Sequence, residues 1–292
     1  MTSSKVGQGK KQEEEPAIIY PDPQIDAHLS DEEKNTTRMR KPRLKPEQRQ
    51  TYRDALRAMN ESQVTCAVGA SFARNAYTNI WRHTKDLDIF LKPADLRAAL
   101  DRLEMIGFHT EVTDTHWLAK AWKGDYFVDL IFGTGHGHLP VDDDSFKGSR
   151  EGEILGVRVK LIPLEEMIAS AAYIIGRNRF DGGEIVHLIR HSKGKLDWDR
   201  ILKRLGENRE LLLFHLIHFD FVYPGHSNYL PQQLMLDLFN EMQQRWKGER
   251  KGSKGFRGTL IDPFSYNVDV KDWGYEDRRK LTPLVNQRGE VL

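Results

Sequence analysis

Val68-Gly69-Ala70-Ser71, a short interval, then Thr84-Lys85-Asp86-Leu87-Asp88-Ile89-Phe90 is the stretch on which the reading of this chain turns. Residues 64–68 are apolar enough for a strand and run into a turn of small residues. Residues 71–77 read as a short helical segment, after which the chain enters a strand carrying two aspartates one residue apart. Alternate residues of a strand share a face. Asp86 and Asp88 therefore project together, and Leu87 turns into the core. Two carboxylates on one side repel and are costly to bury unpaired, so the pattern points to a divalent cation between them. The small-residue turn lets a phosphate approach backbone amides at a helix start.

Upstream, residues 1–45 are polar and charged in both signs, which predicts a disordered tail. Its basic run, residues 38–45, has two readings: a contact to nucleic-acid phosphates, or a solvated linker. Pro46 and Glu47 open a helix with Tyr52, Leu56 and Met59 on one face, ending near Asn60.

Downstream, residues 78–83 form a polar bridge with Trp81 and Arg82. Pro93 starts a helix with Leu96, Leu100, Leu103 and Ile106 at helical spacing, and Gly107 stops it. Residues 108–112 alternate as a strand. Residues 117–122 and 126–132 flank Lys123-Gly124-Asp125 as a hairpin. Its second strand carries Asp129. The glycine-rich 133–138 follows, either a phosphate-wrapping or mobile loop or simply a glycine-rich connection. Asp142 to Asp144 read as an acidic surface loop, and residues 153–161 as a further strand.

From Pro163 the pattern turns helical, with Leu164, Met167, Ile168, Ala171, Ala172 and Ile175 in one stripe. Further helices are expected over residues 198–205, 210–221 and 231–246. A second basic segment, residues 245–254, precedes a tail whose Pro263, Phe264, Tyr266, Trp273 and Tyr275 are expected to pack back on the body. The spacing thus divides the chain into residues 1–45, a 46–162 sheet domain, a 163–247 helical part and a 248–292 extension.

Composition narrows the class. The 292 residues are 39% hydrophobic and 30% charged, with a formal net charge of +1, as expected of an ordinary globular protein without a global field. One cysteine, Cys66, excludes an intrachain disulfide and suits a reducing compartment. No apolar run reaches the roughly 18 residues of a membrane span, and residues 1–45 carry no signal-peptide pattern, so a cytoplasmic location without a membrane partner is expected. His187/His191 and His215/His218 have ligand-like helical spacing, but neither pair has the Glu that a zinc hydrolase helix needs.

Gly69-Ala70-Ser71, Asp86-Leu87-Asp88 and the strand Tyr126-Phe127-Val128-Asp129-Leu130, in that order, resemble the signature of DNA polymerase β-type nucleotidyltransferases. Ala70 stands where that family usually has Ser or Gly. Arg177-Asn178-Arg179-Phe180-Asp181-Gly182-Gly183-Glu184, running on to His187-Leu188, is similar to a segment following the catalytic domain in a bacterial subfamily, and an element of it recurs in AbiEii-like members. Glu184 replaces an Asp there, and Ala171 stands where a lysine is often found.

The resemblance implies an α/β (α+β) fold: a nucleotidyltransferase-type mixed β-sheet with flanking helices, followed by a helical bundle. It implies transfer of an NMP from an NTP, ATP among them, to an acceptor hydroxyl with release of pyrophosphate. Asp86, Asp88 and Asp129 would be the catalytic and metal-binding residues, holding two Mg2+ ions or Mn2+. Gly69, Ala70 and Ser71 would bind the phosphates. Arg74, Arg82 and Lys85 are further phosphate candidates because a triphosphate needs fixed positive charge. Arg179 and Asp181 either contact the nucleotide or, with Glu184, form an ion pair fastening the helical part to the sheet. The acceptor stays open among RNA, a protein and a small molecule. The alternatives are a catalytically weakened nucleotide-binding module and a toxin–antitoxin component with a partner protein.

Overall fold

The computed structural model describes residues 44–82, 84–248, 254–279 and 283–292. Most of the expected N-terminal tail and part of each basic segment lie outside the described residues.

Helix α1 (Pro46–Glu61) starts with Pro at its first position and buries Tyr52, Ala55, Leu56 and Met59. Strand β1 (Cys66–Val68) leads directly into α2 (Ala70–Thr78), and β2 (Asp86–Leu91) follows. Trp81 in the connection is buried against the Phe72 ring, so this bridge is less polar than its sequence suggests. Next come α3 (Leu96–Glu104), β3 (His109–Asp114), β4 (Leu118–Lys123) and β5 (Tyr126–Ile131). A small ribbon of β6 (Gly133–Thr134) and β7 (Leu139–Pro140), the short α4 (Asp143–Phe146) and the hairpin β8 (Arg150–Ile154) and β9 (Val157–Leu161) complete the first part.

Seven strands form one mixed sheet in the order β3-β4-β5-β2-β1-β9-β8. The β2–β5 and β1–β9 pairs are parallel and the others antiparallel. The central strands β2 and β5 therefore lie side by side although the β3–β4 hairpin separates them in sequence. The core continues from Leu87, Ile89, Val128 and Leu130 into the helices α5 (Leu164–Ala171) and α6 (Gly182–Ser192). Beyond these stand α7 (Trp198–Leu205), α8 (Arg209–Val222) and α9 (Gln232–Lys247).

Asp142 to Asp144 are not a free acidic loop. Asp142 caps α4 in a capping box and, with Asp144, binds Arg204 and Lys203 of α7. The C-terminal aromatics also depart from expectation: Phe264 is 89% and Trp273 67% exposed. The aliphatic Leu260 and Val285 are buried instead, and the amides of Leu284 and Val285 bond to the Thr115 carbonyl.

Candidate active site

The site is built on β2 and β5. Alternation buries Leu87 and Ile89 and leaves Asp86 and Asp88 partly exposed on the other face. The parallel register pairs Asp88 with Asp129 directly and Asp86 with Phe127. Asp129, distant in sequence, is thus brought beside Asp86 and Asp88 at a cavity of about 400 Å3. Ala70, Thr134, His136, Ala171, Arg179 and Asp181 also line it.

Electrostatics follow from this crowding. Burial, then the charges of Asp86 and Asp129, push the Asp88 carboxyl well above the usual range, while Arg179 and Lys120 work against the rise. Burial also raises Asp129, opposed by its bond from Lys120. The Lys120 ammonium lies 2.6 Å from Asp129 Oδ1 and 4.0 Å from the centre of the Phe127 ring. Asp86 accepts a bond from the Thr84 hydroxyl. All-carboxylate oxygen donors suit a hard divalent cation. Among the described residues, however, no three His, Cys, Asp or Glu side chains are gathered as a ready-made metal cage.

The turn preceding α2 is shaped by packing as well as by its backbone. The Gly69 amide donates to the Asp88 carbonyl at 3.0 Å, so it is committed to the sheet. A Cβ on Gly69 would lie 2.1 Å from the Phe90 ring. Ala70 takes φ 42°, a left-handed conformation that costs an L-residue free energy. The first amides of α2 beyond Gly69 have no partner within the helix, as at any helix start. Gly69 and Ser71 flank Ala70 in sequence but do not line the cavity.

Two other expected phosphate contacts fall elsewhere. Arg74 is wholly buried and ion-paired with Glu184 of α6, which lies 3.8 Å from Arg82 as well. Burial, aided by Arg82, pulls the Arg74 guanidinium down to about 9. Lys85 is exposed and off the cavity wall, its carbonyl accepting from Tyr52. The expected Arg179–Asp181–Glu184 network is divided. Arg179 pairs with its neighbour Asp181 at 2.8 Å, and Glu184 instead joins the helical part to the sheet domain through Arg74.

Arg179 is carried by a tight reverse turn. Ile175 bridges to Phe180, the Gly176 amide bonds to the Arg179 carbonyl, and Asp181 bonds back to Ile174. Asp262, far along the chain, accepts from the Arg177 amide and lines the cavity beside Ile261 and Phe264. Gly135, His136 and Gly137 all have positive φ, which lets the 133–138 loop fold tightly, and residues 133–136 of it line the cavity.

A family model described as an uncharacterised nucleotidyltransferase matches residues 43–218. The chain belongs to that family. A search of curated proteins found no match. Among solved structures, the nucleotidyltransferase is similar in part to the antibiotic-resistance factor ANT(2'')-Ia, at 19% identity and a TM-score of 0.42 over 60% of this chain and 99% of that one. It is also similar to the lincosamide antibiotic adenylyltransferase LnuA, at 16% identity and 0.35 over 50% and 98%. A third is JHP933 from Helicobacter pylori, at 12% identity and 0.36 over 78% and 99%.

Sequence reasoning passed over some residues of this candidate site. Lys120 is the third residue of β4, two positions before Trp122, and alternation alone would have put it on the Asp129 face once the hairpin was paired. His136 lay within a recognised loop, yet its place on the cavity wall had no linear signal. Of the other histidines, His191 packs near Tyr77, and His215 and His218 pack against Phe180.

Proposed function

We propose that this nucleotidyltransferase moves a nucleoside monophosphate from an NTP to a hydroxyl of a small molecule, with release of pyrophosphate. The observation that carries the reading is the direct Asp88–Asp129 register, with Asp86 on the same strand face above one cavity. Asp86 and Asp88, with Asp129 beside them, would hold a divalent ion, Mg2+ or Mn2+. Such an ion supplies charge neutralisation at the triphosphate.

The remaining work belongs to the chain itself. Ala70, the residue of the small turn that lines the cavity, offers its amide at the start of α2 to the triphosphate, with the positive end of the helix dipole behind it. Arg179, held by its turn, supplies fixed positive charge across the cavity. Asp129 takes the proton of the acceptor hydroxyl as its oxygen attacks the α-phosphorus and pyrophosphate leaves. A concave space of about 400 Å3, walled by the sheet, the helical part and the 261–264 segment, suits a small molecule.

The test is incubation with each α-32P-labelled NTP and Mg2+ in the presence of small hydroxylated compounds, total RNA or protein. Label in the small-molecule fraction together with released pyrophosphate is expected. Label in RNA or protein overturns the acceptor class. Ala70 and Ala171 favour a second reading, a nucleotide-binding module with weakened catalysis; nucleotide binding without label in any fraction would establish it.

A further inference from the structure

We propose that Lys120 is the resident cation of Asp129, so that a divalent ion is taken by Asp86 and Asp88 alone and the site holds one ion rather than two. This rests on the metal reading given under Proposed function.

The geometry is fixed by the sheet. In the antiparallel β4–β5 pair Lys120 stands directly opposite Asp129, and directly opposed side chains of two strands share a face. The Lys120 ammonium reaches Asp129 Oδ1 at 2.6 Å, with the two side chains only 20% and 11% exposed. The same ammonium lies 4.0 Å from the Phe127 ring centre and 5.9 Å from that of Trp122. Phe127 and Trp122 are themselves a cross-strand pair, with ring centres 4.4 Å apart, so the cation rests on a built aromatic floor.

A divalent ion bound to Asp129 would stand beside this ammonium in a partly desolvated place, where like charges repel strongly. Driving Lys120 away would break the ion pair and remove the cation from both rings. Asp86 has a neutral partner, the Thr84 hydroxyl, and among the described residues Asp88 has no ammonium at contact distance. The site is therefore asymmetric: Asp129 has a protein ammonium in direct contact, Asp86 and Asp88 feel the Arg179 charge without an ion pair to it among the described residues, and an exchangeable ion serves their side.

The test counts ions. Mn2+ is titrated into the full-length chain at pH 7.5 with one equivalent of a non-hydrolysable ATP analogue. Free Mn2+ is followed by electron paramagnetic resonance and total binding by calorimetry. One Mn2+ per chain is expected for the wild type and for Lys120→Arg, and two for Lys120→Met and Lys120→Gln. Two ions on the wild type overturn this proposal and leave the metal reading standing. One ion on folded Lys120→Met and Lys120→Gln also overturns it. No Mn2+ on any variant overturns the metal reading itself, and this inference with it.

Discussion

Glu184→Gln tests how the helical part is fastened to the sheet domain. Arg74 has no exposed surface, and Glu184 is its ion-pair partner, with a side chain 16% exposed. Replacing Glu184 by Gln leaves a buried guanidinium without its counter-charge. Breaking a buried pair from one side costs about 3–5 kcal/mol. The value here should lie near the upper end, because burial already pulls Arg74 down to about 9 and the nearby Arg82 repels it. The opposite truncation differs. Arg74→Met fills a similar volume with an apolar chain, while Glu184 keeps Arg82 at 3.8 Å and some access to water. Its cost should be under about 1 kcal/mol, and the double variant should recover most of the Glu184→Gln loss. Urea unfolding of the four proteins, analysed at constant m-value, measures these differences. Equal losses in both single variants, or no recovery in the double variant, would refute the reasoning, since a pair valued only for its attraction loses the same from either side.

Three further outcomes follow from the same geometry. Gly69→Ala should lower stability by about 1–3 kcal/mol through overpacking, because its Cβ would meet the Phe90 ring at 2.1 Å; Phe90→Leu in that background should restore part of the loss in thermal melts. Ala70→Gly relieves a left-handed φ of 42° and should gain about 0.5–1 kcal/mol after the entropy cost of glycine, read as a higher urea midpoint. Burial holds His215 down to about 4 against about 6.5 unfolded, a lowered value, so its contribution is present above pH 6.5 and is lost as pH falls through 4. That loss amounts to roughly 3 kcal/mol, and the melting temperature of His215→Phe should fall less steeply over this pH range than that of the wild type.

The carboxylate face was legible because a strand has a period of two: Asp86 and Asp88 flank Leu87, and the hairpin around Lys123-Gly124-Asp125 placed Asp129 on a strand. The adjacency of β2 and β5 was not written in either segment. It depends on which edges pair after the β3–β4 hairpin is inserted, and the order of the three motifs supplied it only through family resemblance. Arg74 was misread for a different reason. A sequence gives charge but not depth, and Arg74 looked like a ligand contact until α6 proved to lie over it. Gly69 was read as room for phosphate, yet the neighbouring ring takes the space and the sheet takes the amide. Phe264 and Trp273 were expected to pack back on the body because they are large and apolar, but both stay largely exposed, and the residues of the tail that are buried are Leu260, Asp262 and Val285 among others.

Asp262 has a consequence for how such a protein diversifies. The family match ends at residue 218, but the Asp262 carboxylate steadies the turn carrying Arg179, and Ile261 and Phe264 form part of the cavity wall. The three carboxylates and the 261–264 part of the cavity wall are thus written in separate stretches of the gene. On the function proposed here, a lineage can exchange its tail and acquire a new acceptor while inheriting the chemistry unchanged, much as a tool keeps its handle when the bit is replaced.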